Sequence, residues 1–516
     1  MKAEKKPMLK SFAVLFLLLF AAAIVPSVFA EAASDDLTAL KKEVDALRKQ
    51  SQQYQDLNSK LEERIGQLEK KLDSIESQKV SSLPSPQALP QPPALLEPKE
   101  GVLTRQPGKL VVANLTEKDI NQIVKGFEFG GYFRAGSGFN ARGGHMEAFQ
   151  APLASAKYRL GNESDTYLEA ILAQNNWNPD PDGVSFRTQI RLSYQTQQNK
   201  SEDNTNSVCL REMYAQMGNF ITSNPELKVW AGERFYRLPE LDINDFWWYD
   251  MSGYGGGFEN IKFFDVGKLD VAYLSYSDKD TTISTKQGRI QKENINFILK
   301  DVAVPGGKGT FWVNGGFIKG GTWEGLNYPS VGGADLGFMH NTQGDRNNNQ
   351  FSFQAGYGAC TSLSTGGNIP TSTKDNNSWT IRLTDMLNRK INDRLDMQLV
   401  GVYQYTDTGY AAQAKQVWGS LGLRPVIGIT KHLALELEPG VDYINSPRND
   451  YDTYLFKFTT ALRLAPDDAF SGHPRFRLYA TYAKWGNDFR GNAIGGEGYR
   501  DKTDGLNFGV QAEHWW

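Results

Sequence analysis

From Phe127 to Trp516 apolar and polar residues alternate in short segments parted by Asn, Asp and Gly. A period of two is that of a β-strand, whose successive side chains point to opposite faces. The last segment is the clearest. Leu506, Phe508, Val510, Ala512 and Trp516 share one face, while Asn507, Gly509, Gln511, Glu513 and Trp515 share the other. In Tyr454–Leu464, Tyr454, Phe456, Phe458, Leu462 and Leu464 oppose Lys457, Thr459 and Arg463. In the first segment Phe127, Phe129, Gly131 and Phe133 oppose Glu128, Gly130, Tyr132 and Arg134. Further strands are expected at 157–163, 165–172, 229–236, 268–276, 395–405, 432–438 and 475–485, with a loop-rich stretch between 280 and 390. One lipid face and one wet face on every strand is the signature of a transmembrane barrel, and roughly 22 residues per strand and turn predicts 16 to 18 strands.

The first 126 residues follow other periods. Lys2, Lys5, Lys6 and Lys10 precede an apolar run from Phe12 to Val25. Pro26 and the small residues Ser27-Val28-Phe29-Ala30 close it, so residues 1–30 read as an export signal cut after Ala30. Across 35–78, Leu37, Leu40, Val44, Leu47, Ser51, Tyr54, Asn58, Leu61, Ile65, Leu68, Leu72 and Ile75 recur at alternating spacings of three and four. That heptad predicts a coiled coil, with Asn58 at an a position that fixes register. Seven prolines between 79 and 108 predict a stiff, extended linker. The barrel domain is placed at 109–516.

Composition adds three exclusions. A net charge of -3 argues against a nucleic-acid partner. The five histidines show no metal-ligand spacing, and no cofactor is expected. No Ser/His/Asp grouping appears, so an enzyme is not expected. Cys209 and Cys360 are the two cysteines, and the sequence leaves their pairing open.

Period two also sorts aromatics by face. Lipid-facing rings are ordinary girdle residues. Lumen-facing rings are not, since water gains nothing from them. Tyr132 lies beside Arg134, Tyr167 beside Glu169, and Trp515 beside Glu513, each pair on the polar face. An aromatic platform flanked by charged groups fits a sugar, which has an apolar ring face and a rim of hydroxyls. After the strand at 229–236, residues Arg237 to Asp250 hold four successive aromatics, Phe246 to Tyr249, and several acids. Such a segment is too irregular for a spanning strand and suits a loop folded into the pore.

Several segments resemble the maltoporin family. They are Phe129-Gly130-Gly131-Tyr132-Phe133-Arg134, Lys157 to Glu163, Trp230 to Tyr236, Gly257-Phe258-Glu259-Asn260, Tyr479 to Trp485 and Trp515-Trp516. The resemblance spans 127–516 and is strongest at its two ends. It implies an all-β fold, an 18-stranded antiparallel barrel assembled as a homotrimer in the bacterial outer membrane. It also implies passive diffusion of oligosaccharides such as maltodextrins along an aromatic slide beside an ionic track. Tyr132, Tyr167, Trp515 and Phe470 match slide positions, and Trp247 stands at the constriction aromatic. Arg134, Arg159, Glu169, Arg211, Glu240 and Asp245 match the ionic track. The family's constriction arginine falls on Leu238, next to Arg237. Two departures are visible: the slide tryptophan donated by a neighbouring subunit has no counterpart in Ser201 to Cys209, and the first-loop cysteines align with Ala148 and Ser164. The coiled coil is similar to the periplasmic extension of the related sucrose porin.

Two other functions fit parts of the chain. An anion, phosphate or general porin would show a ladder of lumenal Arg and Lys without aromatic platforms. A tether between outer membrane and cell wall would use the barrel only as an anchor, with the coiled coil reaching the wall or a periplasmic protein.

Overall fold

A computed structural model describes residues 126–516 apart from 176–182, 198–207, 278–290, 324–325, 343, 345, 367–376, 410–414 and 467–471. The export signal, the heptad at 35–78, the linker and Phe470 lie outside the described residues.

Eighteen antiparallel strands form one sheet that closes on itself. Each barrel strand pairs with its neighbours around the sheet, so no strand edge is left free, as a lipid environment demands. Closure joins the first strand, Phe127–Asn140, to the last, Asp504–Trp515, with Tyr132 opposite Trp515 and Arg134 opposite Glu513. Trp516 extends the seam by exchanging backbone hydrogen bonds with Gly131 at 3.1 and 3.2 Å. A small hairpin, Gly321–Trp323 with Leu326–Tyr328, stands outside the barrel sheet.

Period two holds where the sequence is regular. In the last strand Asn507, Gln511 and Glu513 are buried while Val510 is exposed. In Tyr451–Leu464, Lys457, Thr459 and Arg463 are buried and Phe456, Phe458 and Leu462 are exposed. In a barrel the exposed set meets lipid and the covered set lines the interior. The loop-rich middle resolves into Gln291–Val304, Gly307–Ile318, Val331–Asn341, Asn347–Gly358 and Trp379–Asn392. The connections differ sharply between the two rims: 264–266, 305–306 and 393–394 are tight turns, whereas 141–164, 235–252, 359–378 and 486–503 are long. Phe127 begins its strand at the tight-turn rim.

One expected strand is absent. Residues 157–163 alternate, yet they form part of the long connection between Phe127–Asn140 and Asp165–Asn175. Their polar groups are satisfied by the barrel interior instead of a ladder partner. The Leu160 amide donates to Glu438 at 3.0 Å, the Leu160 carbonyl accepts from Lys457 at 2.7 Å, and the Gly161 carbonyl accepts from Thr481 at 2.8 Å. The Tyr158 ring lies on bare backbone. A Cβ at Gly422 or Gly440 would fall 1.9 or 2.2 Å from ring carbons, so any side chain there would evict the loop. The strand expected at 229–236 runs Lys228–Arg234, leaving Phe235 and Tyr236 to start the next inward loop. Cys209 and Cys360 are both free, one exposed and one buried.

Candidate functional site

The long connection 235–252 crosses the barrel. Leu241, Ile243, Tyr249 and Met251 are fully buried. Their partners come from strands far apart around the wall. Asn296 donates to the Tyr249 hydroxyl at 2.6 Å, Arg382 to the Trp248 carbonyl at 2.7 Å and Gln350 to the Pro239 carbonyl at 3.1 Å. Phe246 packs edge-on against Trp418 with centroids 5.3 Å apart. The Arg159 amide, from the first inward loop, donates to the Ile243 carbonyl at 3.0 Å. The interior is thereby narrowed by two loops that bond to each other and to the far wall. Within this segment the two tryptophans part company: Trp248 is 1% exposed against Trp312, and Trp247 is 38% exposed.

On the wall facing this loop, three expected slide rings come together. Tyr132 lies 4.9 Å from Trp515 and 6.1 Å from Tyr167, centroid to centroid. They form one band because their strands are adjacent: Tyr132 is directly opposite Trp515 on one side and diagonal to Tyr167 on the other. Cations and acids interleave with them. Arg134 sits 4.9 Å from the Tyr167 ring and pairs with Asp165 at 2.8 Å and Glu163 at 3.0 Å. Arg159 bonds the Tyr132 hydroxyl at 2.7 Å and Glu513 at 2.8 Å. The Tyr167 hydroxyl donates to Glu169, which pairs with Arg191 at 2.7 Å. The band continues where the sequence reading stopped. Phe235 carries Arg191 at 4.8 Å, Arg211 at 5.3 Å and Arg237 at 3.8 Å from its centroid, and Arg237 reaches on to Trp247 at 4.7 Å. Phe235 is not legible from alternation because its strand ends at Arg234, two residues short of the expected 236. Arg211 reaches this cluster through an irregularity in pairing between Arg191 and Leu192, which moves it out of strict alternation. Arg237, not Leu238, supplies the cation, held by Asp250 at 2.8 Å.

The loop acids face this band. Asp245 lies 4.0 Å from Arg134. Burial, reinforced by the carboxylates of Asp245 and Asp242, pushes the Glu240 carboxyl above the ordinary carboxylate range. A carboxyl with a raised value is neutral below it and charged above it. As pH rises from neutral into the alkaline range, Glu240 should ionise and add negative charge to the aperture. Cation preference, read from the reversal potential in a salt gradient, should therefore increase, and Glu240→Gln should remove that increase. A reversal potential that stays flat in the unmodified channel would contradict this placement.

A second charged wall went unread. Glu436 accepts from Arg463 and Arg477, each at 2.7 Å, and Arg477 continues to Glu513 at 2.6 Å. Glu438 pairs with Lys457 at 2.8 Å and with Arg424. Alternation puts Lys457 and Arg463 on the lumen face, but their partners lie on a neighbouring strand that one strand's alternation does not reveal.

The family model described as LamB porin matches residues 127–516. Among solved structures, OccD3 (OpdP) of Pseudomonas aeruginosa is 10% identical, with 76% of this chain and 91% of that chain covered and a TM-score of 0.39. OccAB4 of Acinetobacter baumannii is 9% identical, covering 75% and 98%, with a TM-score of 0.42. Pseudomonas aeruginosa OpdK, solved with vanillate, is 8% identical, covering 76% and 99%, with a TM-score of 0.42.

Proposed function

We propose, for a chain that belongs to the LamB porin family, that it carries out facilitated, passive diffusion of oligosaccharides across the outer membrane. That it is a porin channel of the outer membrane follows from the family. The sugar reading rests on one observation: the band of Trp515, Tyr132 and Tyr167 at centroid spacings of 4.9 and 6.1 Å, bordered by ionised groups. A pyranose stacks its apolar face on such rings and turns its hydroxyls to the flanking Arg134, Arg159 and Glu169. Asp245 and Glu240 close the opposite side, and Trp247 and Phe235 extend the platform. Maltodextrins are one class of chain that fits this arrangement.

Tight turns mark the periplasmic rim of such barrels and long loops the outer one. With Phe127 at the tight-turn rim, the coiled coil of 35–78 belongs to the periplasm, joined by the linker of 79–108. Residues 1–30 serve as the export signal. A heptad and a porin wall both suit a homotrimer.

Uptake into proteoliposomes tests the reading. Maltotriose entry should saturate with concentration. Entry that stays linear and is ordered only by solute size contradicts a sugar site and leaves a general porin.

A further inference from the structure

Where the aromatic band ends at Trp515, the lumen wall carries more positive charge than its own carboxylates neutralise. A small recess beside Trp515 is lined by Arg159, Arg424, Arg475 and Arg477 against Asp242 and Glu513. Behind it, Glu436 is shared by Arg463 and Arg477, and Glu438 by Lys457 and Arg424, so these carboxylates leave Arg475 unmatched. Glu513 is already engaged on both carboxylate oxygens. One of its oxygens accepts from Arg159 at 2.8 Å and Tyr132 at 2.9 Å, and the other from Arg477 at 2.6 Å. Arg475 stands directly opposite Glu513 in the register. Among the described residues it makes no ion pair, and its Nε reaches the Gly472 carbonyl at 3.4 Å. Its guanidinium lies 5.5 Å from the Trp515 centroid. Next to it, Nε and Nη2 of Arg463 are buried without a hydrogen-bond partner among the described residues.

A guanidinium with unused donors, beside a ring that stacks sugars, suits a planar anion attached to a sugar. We propose that the recess is a subsite for an acidic sugar residue, a uronate or an equivalent anionic substituent, so that acidic oligosaccharides are preferred over neutral ones. Trp515 takes the pyranose face, Arg475 takes the carboxylate, and Arg477 and Arg159 hold the surrounding field. This rests on the sugar-channel reading and narrows it. Neutral chains bind the same band without the charge-assisted contact.

The test is block of ion current through the full-length protein in planar bilayers, with trigalacturonate, maltotriose and inorganic phosphate as probes. Trigalacturonate should block at a concentration about ten-fold below maltotriose, the scale of one charge-assisted contact. The preference should shrink as salt is raised. Arg475→Gln should bring the ratio of the two sugars close to one, and Arg475→Lys should retain part of it. If maltotriose blocks and trigalacturonate blocks no better, the acidic subsite is wrong and the sugar channel stands. If phosphate alone blocks as tightly as trigalacturonate, the recess binds bare anions and the proposal is overturned. If neither sugar blocks, the sugar-channel reading itself fails. Should Arg475→Gln not assemble, the sugar ratio in the unmodified protein and in Arg475→Lys still decides the matter.

Discussion

Trp248→Ala should cost the barrel about 3–5 kcal/mol, the range for deleting a buried aromatic, whereas Trp247→Ala should leave stability nearly unchanged. Trp248 is 1% exposed and wedged against Trp312 and Tyr249, with centroids 5.7 and 6.3 Å away. Its carbonyl is fixed by Arg382 at 2.7 Å. Removing the ring opens a cavity between loop and wall and frees the segment that narrows the pore. Trp247 instead projects from the loop under the Arg237 guanidinium. Its loss should widen the aperture, raise single-channel conductance and weaken sugar block by about 1–3 kcal/mol, the scale of one large apolar contact. Denaturant unfolding and sugar titration on both variants check the pair. If Trp248→Ala carries the sugar phenotype and Trp247→Ala the instability, the loop has been read with its faces exchanged.

Glu436→Gln is expected to destabilise by about 3–5 kcal/mol, because it strands the buried Arg463 and leaves Arg477 with Glu513 alone. The carboxylate sits between Arg463 and Arg477, 2.7 Å from each, and all three side chains are almost wholly covered. Glutamine keeps the shape and one acceptor but removes the charge that both guanidiniums share. The midpoint of urea unfolding of the refolded barrel should fall in proportion. A Glu436→Gln barrel within about 1 kcal/mol of the unmodified protein would mean that lumenal water already screens this ladder.

These two sites differ in how far the sequence announces them. The strands are legible because one face must satisfy lipid over its whole length, so Phe456, Phe458 and Leu462 repeat at a strict interval. Tyr132, Tyr167 and Trp515 are legible for the complementary reason: a ring on the wet face breaks the rule. Residues 157–163 mislead because alternation records two environments without naming them. Tyr158 is covered by the glycine backbone of two strands more than 260 positions away, and nothing local says so. The Glu436 and Glu438 ladders are hidden in the same way, since each ion pair joins different strands and exists only once the register is set. Phe235 is hidden because it follows the strand end at Arg234, where alternation no longer applies. The resemblance places Asp245 and Glu240 on the loop, but the approach of Asp245 to Arg134 and of the two acids to each other depends on anchors at Gln350, Arg382 and Trp418 across the lumen.

The central claim is that the band from Trp515 through Tyr132 to Tyr167 binds sugar as it passes. Single-channel current recorded with maltotriose in the bath tests it most directly. The account predicts discrete interruptions whose frequency rises with sugar concentration until the mean current saturates. It also predicts that Tyr132→Ala, which cuts the band at its middle ring, shortens each interruption several-fold. A current that falls smoothly and linearly with added sugar, without resolved interruptions and alike in both proteins, would contradict it.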